Sequence, residues 1–358
     1  MVPLGTCRPN KPNDQAGETC FSYIIISINA LTRSQPQSRR MSLQQGSVTD
    51  ARPSYRGMEL VDVSDYRKFV SVRDRVVIGN VSVKIGKPWS IKEYSPPQEY
   101  KPEDSTVWSF PTLGDWATHS GNYRGNWSPY IPRNLINKYT SPGGLVLDQM
   151  CGSGTTLVEC KLLGRNGIGV DINPDAVMVA RDRLNFDYLP LERTDNVSIR
   201  TYMGDARNMD KIKNETIDLV ATHPPYAGII HYTGQYVPDD LSRLKLPEYL
   251  AAMRVVAAES YRVLKPDHYC AVLIGDTRKA RHYIPISIGV LQAFLSVGYT
   301  LKEDIIHLQQ RAMRNPQKWR GRSFDFYLLG HSHIYVFRKP KIGEDLSKLK
   351  HSRMWWSG

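Results

Sequence analysis

The stretch LDQMCGSGTTL, residues 147–157, ends an apolar run and enters a helix-like pattern through a Gly-Ser-Gly turn. Glycines in such a turn let the backbone approach a ligand closely, and the helix that follows offers unpaired N–H groups. A dinucleotide fingerprint would place a third glycine where this chain has Leu157, and a phosphate loop would continue with Gly-Lys-Ser/Thr. The turn therefore predicts a ligand of nucleoside size.

Beyond residue 140, apolar strand-like runs alternate with helix-like runs. This alternation is typical of an α/β fold with a Rossmann-like, mostly parallel sheet. The last two strands are separated only by a loop, so we expect an antiparallel edge strand. The seven predicted strands are 144–148, 168–172, 199–205, 217–221, 269–275, 300–308 and 333–339.

Two acids end the strands that follow the glycine turn. Asp171 comes about 20 residues after the turn, the usual separation of an acid that binds a ribose. Asp205 lies where a carboxylate could accept a hydrogen bond from an adenine amino group. Either acid alone could serve a local purpose, Asp171 in opening the next helix and Asp205 in an Asx turn. Together, at successive strand ends, they favour a ligand site.

Six segments in this order resemble the amino-group DNA methyltransferases: SPYIPRNLI, VLDQMCGSGTTLVE, IGVDINPDA, GDARNM, DLVATHPPY and YRVLKP. Those enzymes use S-adenosylmethionine to methylate adenine N6 or cytosine N4. The resemblance covers roughly residues 106–340 and implies the class I methyltransferase fold. It also implies that the segment with Arg133 and Asn134 closes over the methionine end of the cofactor. The cofactor-binding residues that it implies are Asp148, Cys151, Gly152, Ser153, Gly154, Thr155, Asp171, Ile172, Asp205 and Ala206.

The element ATHPPYAG, residues 221–228, supplies the predicted catalytic residues His223, Pro224, Pro225 and Tyr226. An exocyclic amino nitrogen is weakly basic, so catalysis of its methylation depends mainly on positioning. A base in a duplex must first be flipped out. The rigid diproline would fix backbone carbonyls that accept from the amino group, and Tyr226 would stack on the base. No cysteine nucleophile is needed.

His223 departs from the pattern of the related enzymes, which carry Asp, Asn or Ser at this position. A neutral imidazole can accept one hydrogen bond, as an Asn carbonyl does, whereas a protonated imidazole cannot. Thr222 and the Pro-Pro-Tyr that follows favour cytosine N4 as the target, with adenine N6 second. Two alternatives stay open: methylation of a base amino group in RNA, and a nucleic-acid-binding protein without activity or cofactor affinity.

The net charge of +12 and the pI of about 9.4 indicate an anionic partner. We expect this partner to be DNA, with RNA as the alternative and a restriction nuclease as a candidate companion in a restriction-modification system. The oligomeric state is left open. The predicted nucleic-acid contacts lie between the last two strands: Arg311, Arg314, Lys318, Trp319, Arg320 and Arg322.

Composition divides the chain into four segments. We expect a flexible tail over 1–55, an accessory segment over 56–105, the methyltransferase domain over 106–340, and a basic tail over 341–358. Met41 could be the true start of the protein. The five cysteines form no C-x-x-C pair, so neither a metal site nor a disulfide framework is expected. We expect no membrane segment and a cytoplasmic location, associated with the nucleoid in a prokaryote.

Overall fold

The computed structural model describes residues 55–110, 112–119, 123, 125–188, 197–228, 237, 239–309 and 325–353. Its strands, in chain order, are β1 Glu59–Val61, β2 Arg75–Ile78, β3 Val81–Lys84, β4 Val107–Trp108, β5 Leu145–Asp148, β6 Asn166–Asp171, β7 Ile199–Met203, β8 Ile217–Thr222, β9 Leu264–Ile274, β10 Thr277–Lys279, β11 His282–Ile284, β12 Thr300–Leu308 and β13 His331–Arg338. Its α-helices are α1 Val63–Val72, α2 Tyr130–Tyr139, α3 Thr155–Leu162, α4 Pro174–Leu184, α5 Leu246–Val263 and α6 Ile286–Leu295. Two 3₁₀ segments are Leu241–Arg243 and Leu346–Ser352.

The predicted Rossmann-like, mostly parallel sheet is confirmed. The strands of the large sheet lie in the order β1-β7-β6-β5-β8-β9-β13-β12-β4, and all seven predicted strands are among them. The five central strands β7, β6, β5, β8 and β9 run parallel to one another, whereas β13 is antiparallel to both of its neighbours.

Two details of the sheet differ from the sequence expectation. The antiparallel strand β13 lies inside the sheet rather than at its edge, because the chain passes through α6 to β12 first and β13 then returns between β9 and β12. The sheet also has nine strands rather than seven among the described residues, since β1 and β4 pair with the outer strands β7 and β12. Both additions are too short to give a strong alternating pattern in the sequence.

Alternating residues of the central strands separate two apolar layers. Leu147, Val220 and Val272 pack with α5 and α6 on one face of the sheet. Their neighbours in the sequence, beginning with Val146, pack with α2 and α3 on the other. This alternation follows from the two-residue period of a strand, which points successive side chains to opposite faces of the sheet.

Residues 56–105 pack on the outer part of the same sheet. Asp62 caps α1 by accepting from the backbone N–H groups of Ser64 and Asp65, at 2.6 and 3.0 Å. The Tyr66 hydroxyl donates to Asp182 of α4 at 2.6 Å, and the Gly86 N–H donates to the same carboxylate oxygen at 2.7 Å. The strands β2 and β3 of this segment form a separate antiparallel hairpin.

Within the described part of the chain, no helix has both the length and the apolar character needed to cross a membrane. The same residues contain no group of three or more His, Cys, Asp or Glu side chains that could hold a metal ion.

Candidate active site

A pocket of about 840 Å³, counting the space at its mouth, lies at the carboxyl ends of β5, β6, β7 and β8. Parallel sheets of this kind bind ligands at that edge. The pocket is lined by Tyr123, Gly125, Asn126, Trp127, Asp148, Gln149, Met150, Cys151, Gly152, Thr155, Asp171, Ile172, Asn173, Asp205, Ala206, His223, Pro225, Asp239, Asp240 and Leu241.

The glycine turn has the backbone geometry that its sequence predicts. Gly152 and Gly154 have φ values of +49° and +80°, which are unfavourable for residues with a Cβ atom. A Cβ at Gly154 would lie 2.9 Å from the Cβ of Ala180, so this glycine also allows α3 to pack closely on α4. A Cβ at Gly152 would face the ring of Tyr123 at 3.4 Å, on the pocket side of the turn.

Ser153 and Gly154 do not line the pocket. The Ser153 hydroxyl is buried, donates to Asn126 Oδ1 and accepts from Arg183 Nη1 at 2.6 Å. Gly154 shapes the turn, and Ser153 connects it to Asn126, which does line the pocket. Cys151 lies in the wall, and burial raises the pKa of its thiol well above the ordinary value, so the thiol is protonated.

Asp171 holds the glycine turn against the end of β6. Its Oδ2 accepts from the Gly152 N–H at 2.8 Å, and its Oδ1 accepts from the Asn173 N–H at 2.9 Å. Burial raises the pKa of Asp171 to about 6, although both hydrogen bonds oppose this shift. A carboxylate has about four lone-pair sites, so each oxygen can accept a further hydrogen bond from a ligand hydroxyl.

Asp148, at the end of β5, connects the two halves of the pocket. Its Oδ2 accepts from the Thr156 hydroxyl, and its Oδ1 accepts from the Thr222 hydroxyl of β8 at 3.0 Å. Burial raises the pKa of Asp148 to about 6, against the effect of these two hydroxyls. Asp148, just before the glycine turn, therefore contacts Thr222, the residue directly before His223.

Asp205 lies in the pocket wall, as expected, but its carboxylate already has a partner. Arg207 binds it with two nitrogens: Nε donates to Oδ1 at 2.9 Å and Nη2 donates to Oδ2 at 2.6 Å. Arg207 also donates to the Asp239 carbonyl at 2.9 Å, and its guanidinium lies 4.2 Å from the ring centre of Tyr55. The pair thus joins the end of β7 to the residues near 240 that close this end of the pocket.

The diproline turn begins at the pocket and turns away from it. His223 and Pro225 line the pocket, whereas Pro224 is buried. The half-buried ring of Tyr226 is not in the pocket lining; it meets the His223 ring edge-on, with ring centres 5.6 Å apart, and packs on Gly275, where a Cβ would come within 3.0 Å of the ring. His223 Nε2 and the Tyr226 hydroxyl are 3.2 Å apart, within hydrogen-bond distance.

The His223 imidazole is neutral near pH 7. Burial, followed by the nearby His307, lowers the pKa of His223 to about 4, against a hydrogen bond to the Gly125 backbone. Its ring also stacks on Trp127, with ring centres 6.0 Å apart and planes at 26°. His223 is therefore fixed between Trp127 and Tyr226 as an uncharged planar group in the wall.

Two residues predicted to close over the cofactor lie elsewhere. Arg133 Nη1 donates to Glu159 Oε2 at 2.8 Å, and the Asn134 side chain donates to the Tyr130 carbonyl at 2.8 Å. Glu159 is fully buried, so it draws Arg133 towards α3 and away from the pocket. Trp127, in the same segment, lines the pocket in place of these two residues.

The pocket lining also includes four residues for which the sequence predicted no role in the site: Tyr123, Asn126, Asp239 and Asp240. Only the mixture of aromatic and Asn residues in NYRGNWSPYIPRN gave a signal for the first two. The predicted nucleic-acid contacts Arg311, Arg314, Lys318, Trp319, Arg320 and Arg322 lie outside the described residues.

Residues 68–182 match a protein-family model described as DNA methylase. The match contains the glycine turn, Asp148 and Asp171, and it ends before Asp205 and the diproline turn. The resemblance to the amino-group DNA methyltransferases is therefore confirmed.

Curated relatives match shorter stretches. The chain is 36% identical over 62 residues to the Type II methyltransferase M.MjaII of Methanocaldococcus jannaschii, covering 17% of this chain and 12% of that protein. It is 35% identical over 105 residues to a tRNA (guanine(10)-N2)-dimethyltransferase of Methanothermobacter thermautotrophicus, covering 29% of each chain. It is 27% identical over 130 residues to the DNA adenine methyltransferase YhdJ of Escherichia coli, covering 35% of this chain and 43% of YhdJ. In each case the chain spans less than half of the relative's length.

Proposed function

We propose that this chain transfers a methyl group from S-adenosylmethionine to an exocyclic amino group of a base in DNA. One observation carries the proposal: a single pocket joins the glycine turn, Asp171 and Asp205 to His223 and Pro225 of the diproline turn. A nucleoside-type ligand at the first set of residues would lie beside the second set. The match to a DNA methylase model supports the same activity.

The residues in the pocket fit S-adenosylmethionine. The bare backbone at Gly152 faces the pocket, and a side chain there would meet Tyr123. Asp171 has lone pairs left for ribose hydroxyls, and Asp148 places a buried carboxylate where the ammonium of the methionine part would bind. When bound, the cofactor supplies an electrophilic sulfonium methyl group.

Asp205 fits the adenine amino group only in part, because Arg207 occupies both carboxylate oxygens from one side. Oδ1 also accepts from the Arg207 backbone N–H at 2.8 Å, so the remaining lone pair is on Oδ2, where one more hydrogen bond can form. Arg207 thus holds the carboxylate in one orientation, and Asp239 and Asp240 complete this end of the pocket.

The diproline turn positions the target base. Neutral His223 has partners at the Tyr226 hydroxyl and the Gly125 backbone, so it acts mainly as part of the wall. The backbone carbonyls of the turn would accept from the target amino group and so would orient its nitrogen lone pair for the methyl group that the cofactor would supply. Because Trp127 stacks on His223 and lines the pocket, its ring joins that of Tyr226 as a candidate surface for the flipped base.

Cytosine N4 is the preferred target in this proposal, on the basis of Thr222 followed by the diproline and Tyr226. Adenine N6 is the alternative, and the match to a DNA adenine methyltransferase supports it. The match to a tRNA guanine-N2 enzyme favours an RNA base amino group as the second candidate function. The Type II name of M.MjaII supports a role in restriction-modification.

The test is an incubation of the purified protein with radiolabelled S-adenosylmethionine and, separately, duplex DNA and total RNA. The nucleic acids are then digested to nucleosides and analysed by mass spectrometry. The proposal expects N4-methylcytosine in the DNA, and N6-methyladenine would support the alternative base. Label in RNA alone would move the activity to the second candidate. A protein that binds no cofactor and labels nothing would contradict the proposal.

A further inference from the structure

A β-hairpin that does not line the pocket follows β9, beside the diproline turn. Strand β9 runs parallel to β8, with Val272 paired to Thr222. The chain therefore reaches Gly275 at the level of the diproline turn, where Gly275 packs on Tyr226. The hairpin of β10 and β11, residues 277–284, follows directly from the edge of the sheet that carries the pocket.

This hairpin is basic and largely exposed. Residues 277–284 contain Arg278, Lys279 and Arg281 and no acidic residue. Lys279 and Arg281 are exposed, as is His282. Lys279 forms no ion pair with the part of the chain that the structure describes. Arg281 pairs with Asp325 at 2.8 Å, but both side chains are more than half exposed, and such surface pairs are weak.

Contacts with a neighbouring segment support the hairpin. Its two-residue turn, Ala280 and Arg281, has positive φ values of 48° and 70°, as a tight hairpin turn requires. Asn or Gly would adopt these angles more easily, so packing must hold the turn in place. Arg278 provides this support: Nη2 donates to the Tyr327 carbonyl at 2.9 Å, and the guanidinium lies 4.8 Å from the ring centre of Phe326.

The two faces of the hairpin differ. Arg278 and Tyr283 are paired in the register and lie on one face, where Arg278 contacts Phe326 and Tyr327 and also the Tyr283 ring. Lys279 and His282, also paired, lie on the opposite face and are exposed. The contacts of Arg278 orient the hairpin. The exposed face carries Lys279, and the tip carries Arg281, whose ion pair with Asp325 is exposed to solvent.

We propose that this hairpin is an arm that contacts DNA phosphates beside the target base, with Lys279 and Arg281 supplying the charge. The inference rests on the proposed function. A two-stranded ribbon fits the major groove of duplex DNA, and Lys and Arg side chains displace counterions when they neutralise phosphates. The arm starts next to Tyr226, so these contacts would lie close to the flipped nucleotide.

The test compares DNA binding by three proteins: the wild type, the double variant Lys279→Gln/Arg281→Gln, and the control Lys211→Gln/Lys213→Gln. The control removes the same charge from exposed lysines in the connection between β7 and β8, which leads to the amino end of β8, whereas the pocket lies at the carboxyl ends of the strands. Fluorescence anisotropy is measured with a labelled 20-base-pair duplex and S-adenosylhomocysteine over a range of salt concentrations. Calorimetric titration of S-adenosylhomocysteine verifies that the cofactor site is intact.

The hairpin variant should weaken DNA binding about tenfold and reduce the slope of log K against log salt by about 2, since each phosphate contact contributes about 0.9. The control should change binding less than twofold. Equal DNA binding by the hairpin variant and the wild type, in a protein that methylates DNA, would overturn the inference and leave the proposed function intact. A wild type that neither binds nor methylates duplex DNA would overturn both, as would binding to an RNA hairpin alone.

Discussion

Cofactor binding should weaken sharply below pH 6, because two buried acids that face the pocket have raised pKa values. The pKa of Asp148 and that of Asp171 are both raised to about 6 by burial. At pH 5 a carboxyl group with this pKa is about 90% protonated, whereas at pH 7.5 it is almost wholly ionised. If the ligand requires one ionised acid, affinity should fall about tenfold between these pH values, and if it requires both, about a hundredfold.

Protonation of these two acids does not itself destabilise the fold. A carboxyl whose pKa is raised on folding binds its proton more tightly in the native state than in the unfolded chain. Its contribution to the free energy of unfolding is therefore fully present below about pH 4 and is lost as the pH rises through 6. Between pH 7.5 and 5, Asp148 and Asp171 do not destabilise the fold, while their ability to bind an ammonium or hydroxyl group falls.

The assay is calorimetric titration with S-adenosylhomocysteine at pH 7.5, 6.5, 5.5 and 5. The ligand's amino group stays mostly protonated over this range. Asp148→Asn should bind more weakly at pH 7.5 and show a flatter pH profile, since one titrating group is gone. A wild-type Kd that changes less than twofold between pH 7.5 and 5 would refute the assignment of these acids to the cofactor.

Three further substitutions separate the roles of residues near the pocket. Tyr226→Ala should lower turnover by one to two orders of magnitude, from about 1–3 kcal/mol of lost base stacking, with cofactor affinity nearly unchanged; a large loss of cofactor affinity in calorimetry would contradict this role. Gly154→Ala should lower the Tm by several degrees, because the alanine would have to adopt a φ of +80° and its Cβ would lie 2.9 Å from that of Ala180; an unchanged melting curve would argue against this packing. Glu159→Gln should cost about 3–5 kcal/mol of stability in urea unfolding, because it leaves Arg133 beside a neutral group in a buried site; a cost below 1 kcal/mol would show that the ion pair is dispensable.

The sequence predicted the parts of the site that depend on strand order. Asp148, Asp171 and Asp205 each end a strand with a clear apolar pattern, and neighbouring parallel strands bring their ends together. The glycines of the turn were predictable for a similar reason, since their φ values exclude most other residues.

The remaining parts depend on contacts between distant segments. Arg207 follows Asp205 by two residues, but its position also requires Tyr55 and the Asp239 carbonyl. Trp127 entered the pocket wall, although the resemblance had indicated Arg133, because a buried acid on α3 binds that arginine. The hairpin at 277–284 has Ala-Arg at its turn in place of Asn or Gly, so the usual sequence signal is missing.

The short strand β1 has a practical consequence for preparing smaller forms of the protein. It pairs with β7 through Leu60 and Tyr202, and it covers one edge of the large sheet. A fragment that begins at residue 106 would lose β1 and would expose the backbone N–H and C=O groups of β7. Open strand edges pair readily with other chains, so such a fragment would tend to aggregate even with its pocket residues intact. The shortest useful fragment therefore begins near residue 55, where the Tyr55 carbonyl accepts from Asn208 at 2.8 Å.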